Sequence, residues 1–364
     1  MPTSAFEPVY ALHADVLTAL GSGAQFWENL CSGQSGLAPL CQIFPDWFPE
    51  DHRKVGALPW EESDSRLLMI LDRLLALFDD RFWPFIDGIY AATSLGDLIG
   101  KYAGAPHLAL QEKMSRCSAA LHIVSSACSS GSDALSLAAL AIRSKRADVI
   151  LVLAVDSLCP AKLSHHVMFG TQSPTQARPF DLNRDGTSFG EGGAFCLLAS
   201  KRGLERLQET PLAEILGVGF SCDGYDITVP DPTGKWAALA IERAKPPSFL
   251  PDYINAHGTG TLLNDAAESK ALRLSFDLSP ILISSTKGAT GHCLGAAGLI
   301  EAIIAMLALK TGQIPPTAGL NTLDPALGFN PISQEDQIQK VIQTALSVTF
   351  GFGGVNSAVT MRKV

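Results

Sequence analysis

Short apolar runs alternate with longer segments of helical period along this chain. Strands are predicted at Ile123 to Ser125, Val149 to Val155, Ala194 to Leu198, Tyr253 to Ala256, Ile281 to Ser284 and Ala358 to Met361, each an aliphatic run bounded by small or polar residues. Helices are predicted at Ser65 to Leu77, Ser129 to Arg143, Asp265 to Leu274 and Leu294 to Lys310, the last followed by Gly312 and Pro315-Pro316 as a stop signal. Such alternation implies an α/β protein with largely parallel strands. The helices after Cys128 and after His292 carry few charges and many small side chains, so both are expected to be buried and closely packed.

Candidate chemistry sits at the ends of these runs. Cys128 lies where Leu121-His-Ile-Val-Ser-Ser-Ala-Cys-Ser-Ser-Gly passes from strand to helix, and a helix N-terminus lowers a thiol pKa, which makes Cys128 a candidate nucleophile. His257 in Asn255-Ala-His-Gly-Thr-Gly-Thr261 and His292 in Lys287-Gly-Ala-Thr-Gly-His-Cys293 also follow predicted strands. Open α/β sheets build their sites at strand carboxyl ends, so one shared pocket is expected. A glycine pattern recurs as well: Gly190-Glu-Gly-Gly and Gly351-Phe-Gly-Gly both lead into predicted strands.

Composition narrows the function classes. With 364 residues, 47% of them hydrophobic, the chain can bury a large core as one unit or two fused halves. A net charge of −9 argues against nucleic acid as the main partner. The N-terminal stretch lacks a secretory pattern, and the longest apolar run, near Val149 to Val155, is too short for a membrane span; a soluble cytoplasmic protein is expected. Eight scattered cysteines with no Cys-x-x-Cys pair imply reduced thiols. Cys128, His257 and His292 suit zinc by ligand type but lack metal-typical spacing, so no metal is expected. The glycines at 351–354 lead into a strand rather than a helix, which makes them poor evidence for a dinucleotide site.

At these residues the chain resembles the elongating β-ketoacyl-acyl-carrier-protein synthases of the thiolase superfamily. The resemblance is carried by Leu20-Gly, Ser32-Gly-Gln-Ser-Gly36, the Cys128 elbow, Arg178-Pro-Phe-Asp-Leu-Asn-Arg-Asp-Gly186, Gly190-Glu-Gly-Gly193, the two histidine motifs and Phe350-Gly-Phe-Gly-Gly-Val-Asn356, in the family's order. It implies a thiolase-like α/β fold of two similar halves stacked in α-β-α-β-α layers, with residues 1–205 carrying Cys128 and residues 206–364 carrying His257 and His292. It implies an acyltransferase that moves an acyl chain from a carrier thioester to Cys128 and condenses it with a decarboxylating malonyl-type thioester, in fatty-acid or polyketide synthesis. The backbone N–H groups of Cys128 and Phe352 would stabilise the oxyanion, and His257 and His292 the enolate. A histidine at 292, where asparagine would mark the initiating type, resembles the elongating enzymes.

By the same resemblance, Lys287 orients the histidine, and Asp265, Glu268 and Glu301 support the network, although Asp265 and Glu268 also fit a helix-capping box by spacing. Thr259 and Thr261 match hydroxyls that hold the phosphopantetheine arm, and Phe350 and Thr187 match substrate-binding positions. No resident cofactor is implied, since phosphopantetheine arrives on the acyl carrier protein. The implied assembly is a homodimer, or a heterodimer with a related ketosynthase-like subunit.

The chain also departs from the family. Thr187 stands where the family usually has phenylalanine beside the cysteine, and the helix near Ser65 to Leu77 has few basic residues for carrier docking. A local patch of Arg143, Lys145, Arg146, Lys201, Arg202 and Arg206 is an alternative docking surface; solvated helix ends account for these charges equally well. A second reading is therefore a chain-length-factor-like partner with little condensing activity of its own. A degradative thiolase would need a second cysteine near Phe350 to Ser357, and none is present.

Overall fold

The computed structural model describes residues 7–59, 65–94, 105–115 and 117–364. Ten strands of one sheet fall into two sets of five. The first set is β1 (Val9–Thr18), β2 (Gly88–Ala92), β3 (Ala120–Val124), β4 (Val149–Asp156) and β5 (Gly192–Ala199). The second is β6 (Ala213–Cys222), β7 (Tyr253–Asn255), β8 (Leu282–Ser284), β9 (Thr344–Gly351) and β10 (Val355–Arg362). Their spatial order is β3-β2-β4-β5-β1-β6-β10-β9-β7-β8, so each set repeats one topology outward from the middle.

The pairing sense repeats too. In the first set β2 is parallel to β3 and β4, while β5 is antiparallel to β4 and β1. In the second, β7 is parallel to β8 and β9, while β10 is antiparallel to β9 and β6. The sheet is thus mixed, which corrects the expectation of largely parallel strands. The glycine turn at 351–354 shows one cause: it returns the chain directly from β9 to β10, and so short a connection permits only antiparallel pairing. The sets meet where β1 pairs antiparallel with β6 through Val9↔Ile215, Tyr10↔Glu214 and Ala11↔Ala213.

Helices cover both sheet faces. The first set's outer face packs Leu151, Leu153 and Leu197 against Ile70, Leu71 and Leu74 of α1 (Arg66–Leu75). Between the two sets lie α2 (Ser130–Arg143) and, further on, the helix Ala297–Thr311, whose small and aliphatic side chains share a core with Ile150, Val152, Ala345 and Val359. On the far side, helices Lys235–Ala244 and Leu262–Ser275 pack Ile241 and Leu272 on Ile254 and Leu346. The result is a five-layer α-β-α-β-α stack. β4 shows why its sequence is apolar without a break: Ile150, Val152 and Ala154 face the central core while Leu151, Leu153 and Val155 face the outer one.

The two central helices approach closely where side chains are absent. A Cβ on Gly131 would lie 2.7 Å from the Leu299 backbone N, so only glycine fits this crossing. Residues 294–311 are also long and apolar enough to cross a membrane by composition, a run that the sequence reading passed over; 83% of that stretch is buried in the protein, as befits a core helix.

Candidate active site

The nucleophile candidate stands on a strained elbow. The chain leaves β3 at Val124, passes through Ala127 at φ 54°, and enters α2 at Ser130, so Cys128 sits at the helix start. Positive φ costs energy for alanine, and hydrogen bonds around the turn hold it: Ser130 Oγ donates to the Ala127 carbonyl at 2.7 Å and accepts from Ser126 N–H at 2.9 Å. The expected lowering of the thiol is reversed. Burial pushes Cys128 up to about 11, outweighing the Phe352 backbone N–H and the Lys287 charge, which pull it down. The free site therefore holds a neutral thiol at physiological pH.

His257 follows β7 and is fixed from behind. Glu268 accepts from the His257 and Gly258 N–H groups at 2.7 Å each, and Asp265 accepts from Phe180 N–H at 2.9 Å and Gly260 N–H at 3.2 Å. These carboxylates stitch the histidine loop in place and do not cap a helix. The cap is Thr261, whose hydroxyl accepts from Asn264 N–H, and the helix begins at Leu262, three residues before the predicted start. The turn needs its glycine: a Cβ on Gly258 (φ 38°) would lie 2.4 Å from Ser285 Cβ.

Lys287 lies behind His257, almost fully buried. Its ammonium donates to His257 Nδ1 at 3.0 Å, to the His257 carbonyl at 2.6 Å and to Glu301. Because Nδ1 accepts, neutral His257 carries its proton on Nε2. His292 reaches the same state by another route, since its Nδ1 accepts from Leu294 N–H at 3.2 Å. Its backbone is pinned to the 188–190 segment, with His292 N–H donating to the Ser188 carbonyl at 2.7 Å and Gly190 N–H donating to the His292 carbonyl at 2.8 Å. The imidazoles stand edge to face, centroids 5.3 Å apart. Burial first, and the Lys287 charge second, hold both well below the usual histidine range, so both are neutral.

One cavity of about 320 Å³ is bordered by Cys128, His257, His292 and Phe352, and also by Phe350, Thr187, Thr259 and Thr261. Three residues far apart in sequence thus meet around one sulfur. Lys287, Asp265, Glu268 and Glu301 do not border the cavity and act on it through the groups that do. Among the described residues, no set of three histidine, cysteine or carboxylate side chains is grouped as a metal site.

The beta-ketoacyl synthase family matches this chain in two parts, its N-terminal domain over residues 116–203 and its C-terminal domain over 212–321. The 3-oxoacyl-[acyl-carrier-protein] synthase 2 of Mycobacterium tuberculosis is 30% identical over 98% of this chain and 97% of its own length. This chain belongs to the beta-ketoacyl synthase family. A mitochondrial 3-oxoacyl-[acyl-carrier-protein] synthase of Arabidopsis thaliana is 36% identical over 67% of this synthase and 56% of its own length. In fold, the synthase is similar to a type II polyketide ketosynthase solved with its acyl-carrier protein and a bound hexaketide, with TM-score 0.87, 24% identity, and 99% and 100% of the two chains covered.

The synthase holds further residues, around and at the site, that were given no role from sequence. Glu191, from the first glycine motif, is buried and accepts from Leu58 N–H at 2.8 Å, Leu158 N–H at 3.0 Å and Arg66. Arg66 is therefore a structural partner inside the protein and no docking residue. Three of the six residues of the basic patch are also engaged: Arg202 and Arg206 pair with Asp148, and Arg143 donates to the Ile215 carbonyl. His166 borders the same cavity as Cys128, stacked on Phe189 with centroids 3.8 Å apart. It lies on the helix Pro160–Met168 and was not among the residues singled out from sequence.

Proposed function

We propose that this synthase catalyses decarboxylative Claisen condensation at Cys128. The thiol attacks an acyl thioester, the Sγ–C bond forms, and the carrier thiol leaves with the proton. A malonyl-type thioester then loses CO2, its electron pair forms an enolate, and the carbanion attacks the acyl carbonyl. Cys128 is released and the product is a β-ketoacyl thioester. Covalent capture splits one difficult step into two easier ones. The Phe352 N–H, which points at the Cys128 sulfur, and the Cys128 N–H are the donors for the oxyanion. His257 and His292 donate to the enolate oxygen, and Thr259 and Thr261, whose hydroxyls lie 2.9 Å apart, line the path of the pantetheine arm.

The observation that carries this reading is the pair of neutral Nε2–H imidazoles bordering one cavity with the thiol. It also speaks against a chain-length-factor role, which needs no such set. No resident cofactor takes part, and the phosphopantetheine belongs to the incoming acyl carrier protein. We assign the assembly to a dimer, either of two copies or with a related ketosynthase-like subunit, through the edge strand β3, where Ile123 on the strand and Leu137 and Leu140 on α2 are exposed. The halves divide between residues 205 and 206, and the working compartment is the cytoplasm. Intact-mass analysis after incubation with acyl carrier proteins tests the function: an acyl adduct confined to Cys128, with CO2 released from malonyl carrier, is expected. Absence of any adduct would refute it.

A further inference from the structure

A second cavity of about 360 Å³ also borders Cys128. It shares Cys128, His166, Phe169 and Phe352 with the first, and adds Lys162 and Leu294. Its position makes it the chamber for the acyl group once that group is on the sulfur, and its size suits a small-molecule chain. A saturated chain needs only apolar walls, yet polar groups intrude here.

His166 is the informative one. The Thr171 hydroxyl donates its only proton to the His166 carbonyl at 3.1 Å, and the same oxygen lies 3.1 Å from His166 Nδ1. With that hydroxyl proton on the carbonyl, which also accepts from Thr171 N–H at 3.0 Å, Nδ1 is the donor in the second contact and the ring's proton is on Nδ1. Nε2 is then a bare acceptor, and no described residue hydrogen-bonds to it. This is the opposite tautomer to His257 and His292. Burial holds His166 at about 4, so it is neutral and stays an acceptor. Thr187 borders the first cavity and not this one; its N–H is bonded to the Thr171 carbonyl at 2.9 Å, so it takes no part in the His166 ring contacts. The cation in the chamber is already balanced, because Lys162 donates to Asp156 at 2.9 Å and to the Ser157 carbonyl at 2.7 Å. The wall therefore does not call for an anion. An unpaired neutral acceptor on an otherwise apolar wall matches an uncharged donor such as a hydroxyl.

We propose that His166 is a specificity residue that accepts a hydrogen bond from a hydroxyl on the bound acyl chain, so that this synthase prefers hydroxylated acyl thioesters to plain alkyl ones. The proposal rests on the condensing reading above. A plain chain would leave Nε2 buried without a donor, a penalty that corresponds to a preference of about 5- to 150-fold.

The test is the rate of Cys128 acylation, followed by intact mass, with a medium-chain acyl pantetheine thioester and its isologues hydroxylated at each successive carbon. Acyl transfer releases the pantetheine thiol, which takes the cysteine proton, so the same reaction is read for every chain. The parent should favour at least one hydroxylated isologue by fivefold or more. His166→Phe, which keeps the stack on Phe189, should abolish that preference and accept the plain chain faster. Thr171→Val, which frees the ring to change tautomer, should weaken the preference without disturbing that stack. Equal rates for all chains in the parent, or an unchanged preference in both variants, would overturn the proposal, as would a His166→Phe protein slowed equally with every chain. Complete absence of an adduct from any thioester would instead count against the condensing reading.

Discussion

Replacing Lys287 by methionine removes the charge that faces Glu301 and the donor that fixes His257. Glu301 is fully enclosed, and burial raises its carboxyl from 4.5 to about 7 even with Lys287 beside it. The folded state thus holds this proton more tightly than the unfolded chain. Its contribution is most favourable below the unfolded value, declines as pH rises, and levels off above about 7, for a total loss of about 3 kcal/mol. Without Lys287 the carboxyl rises further and the decline continues into the alkaline range. At about pH 7 the variant should lose about 1–2 kcal/mol, mainly from the two hydrogen bonds to His257. By about pH 8.5 the difference from the parent should reach about 3–4 kcal/mol, growing by about 1.4 kcal/mol per pH unit. Urea unfolding at both pH values measures this; Glu268, raised by burial to about 8 and pulled down in part by Lys287, shifts upward in the variant as well and adds to the difference in the same direction. Lys287→Met combined with Glu301→Leu should lose the part of the pH dependence that Glu301 carries and should still slow decarboxylation, because His257 has lost its Lys287 donor. A single variant whose deficit is the same at both pH values would refute this account of the pair.

Cys128→Ala should abolish acyl adduct and condensation while leaving the melting temperature within a few degrees of the parent; product formed at the parent rate would remove Cys128 from the mechanism. His257→Ala and His292→Ala should each slow CO2 release from malonyl carrier by about two orders of magnitude while Cys128 still acylates, as expected for loss of one preorganised donor. Because both imidazoles are held well below the usual histidine range, decarboxylation should not fall as pH drops from about 7.5 to about 6, where an ordinary histidine would charge; a rate loss centred near the usual 6.5 would contradict their neutral state. Gly131→Ala should push the two central helices apart, costing about 1–3 kcal/mol in urea unfolding and slowing acylation at the adjoining elbow, because the new Cβ meets Leu299 backbone.

The parts of the fold that could be read from sequence are those whose burial is uniform. β4 is apolar on both faces, and the helix Ala297–Thr311 is apolar almost all round with a glycine stop at Gly312 (φ 74°), so each stands out from its neighbours. β1 does not. His13 and Asp15 interrupt its apolar residues, and a register shift between Ala11 and Ala14 breaks the alternation that marks a strand. β6, too, was lost among its small residues: Gly217 and Gly219 are there because helix Lys235–Ala244 lies against them, and a Cβ at either would come within 2.0 Å of a helix carbonyl. Without β1 and β6 the junction between the two sets of strands could not be seen, and neither could the repeated order of the sheet.

The site divides along a similar line. Cys128, His257 and His292 were legible because the backbone around each is constrained, by a helix start at the first and by glycine turns at the other two, and constraint leaves a sequence trace. Electrostatics leave none. That the thiol would be raised by burial depends on what surrounds it in three dimensions; the resemblance grouped Lys287 with Glu301 and a histidine, but not the contact of its ammonium with His257 Nδ1. His166 makes the point most sharply: Nδ1 is a donor only because Thr171, five residues on, turns its hydroxyl to the His166 carbonyl, whereas in His257 and His292 Nδ1 accepts from the Lys287 ammonium and from the Leu294 backbone N–H. Three imidazoles around one sulfur thus present two donors and one acceptor. The donors serve the oxygen that becomes negative during the reaction, and the acceptor faces the chain that does not react, so recognition and catalysis use the same side chain in opposite tautomers.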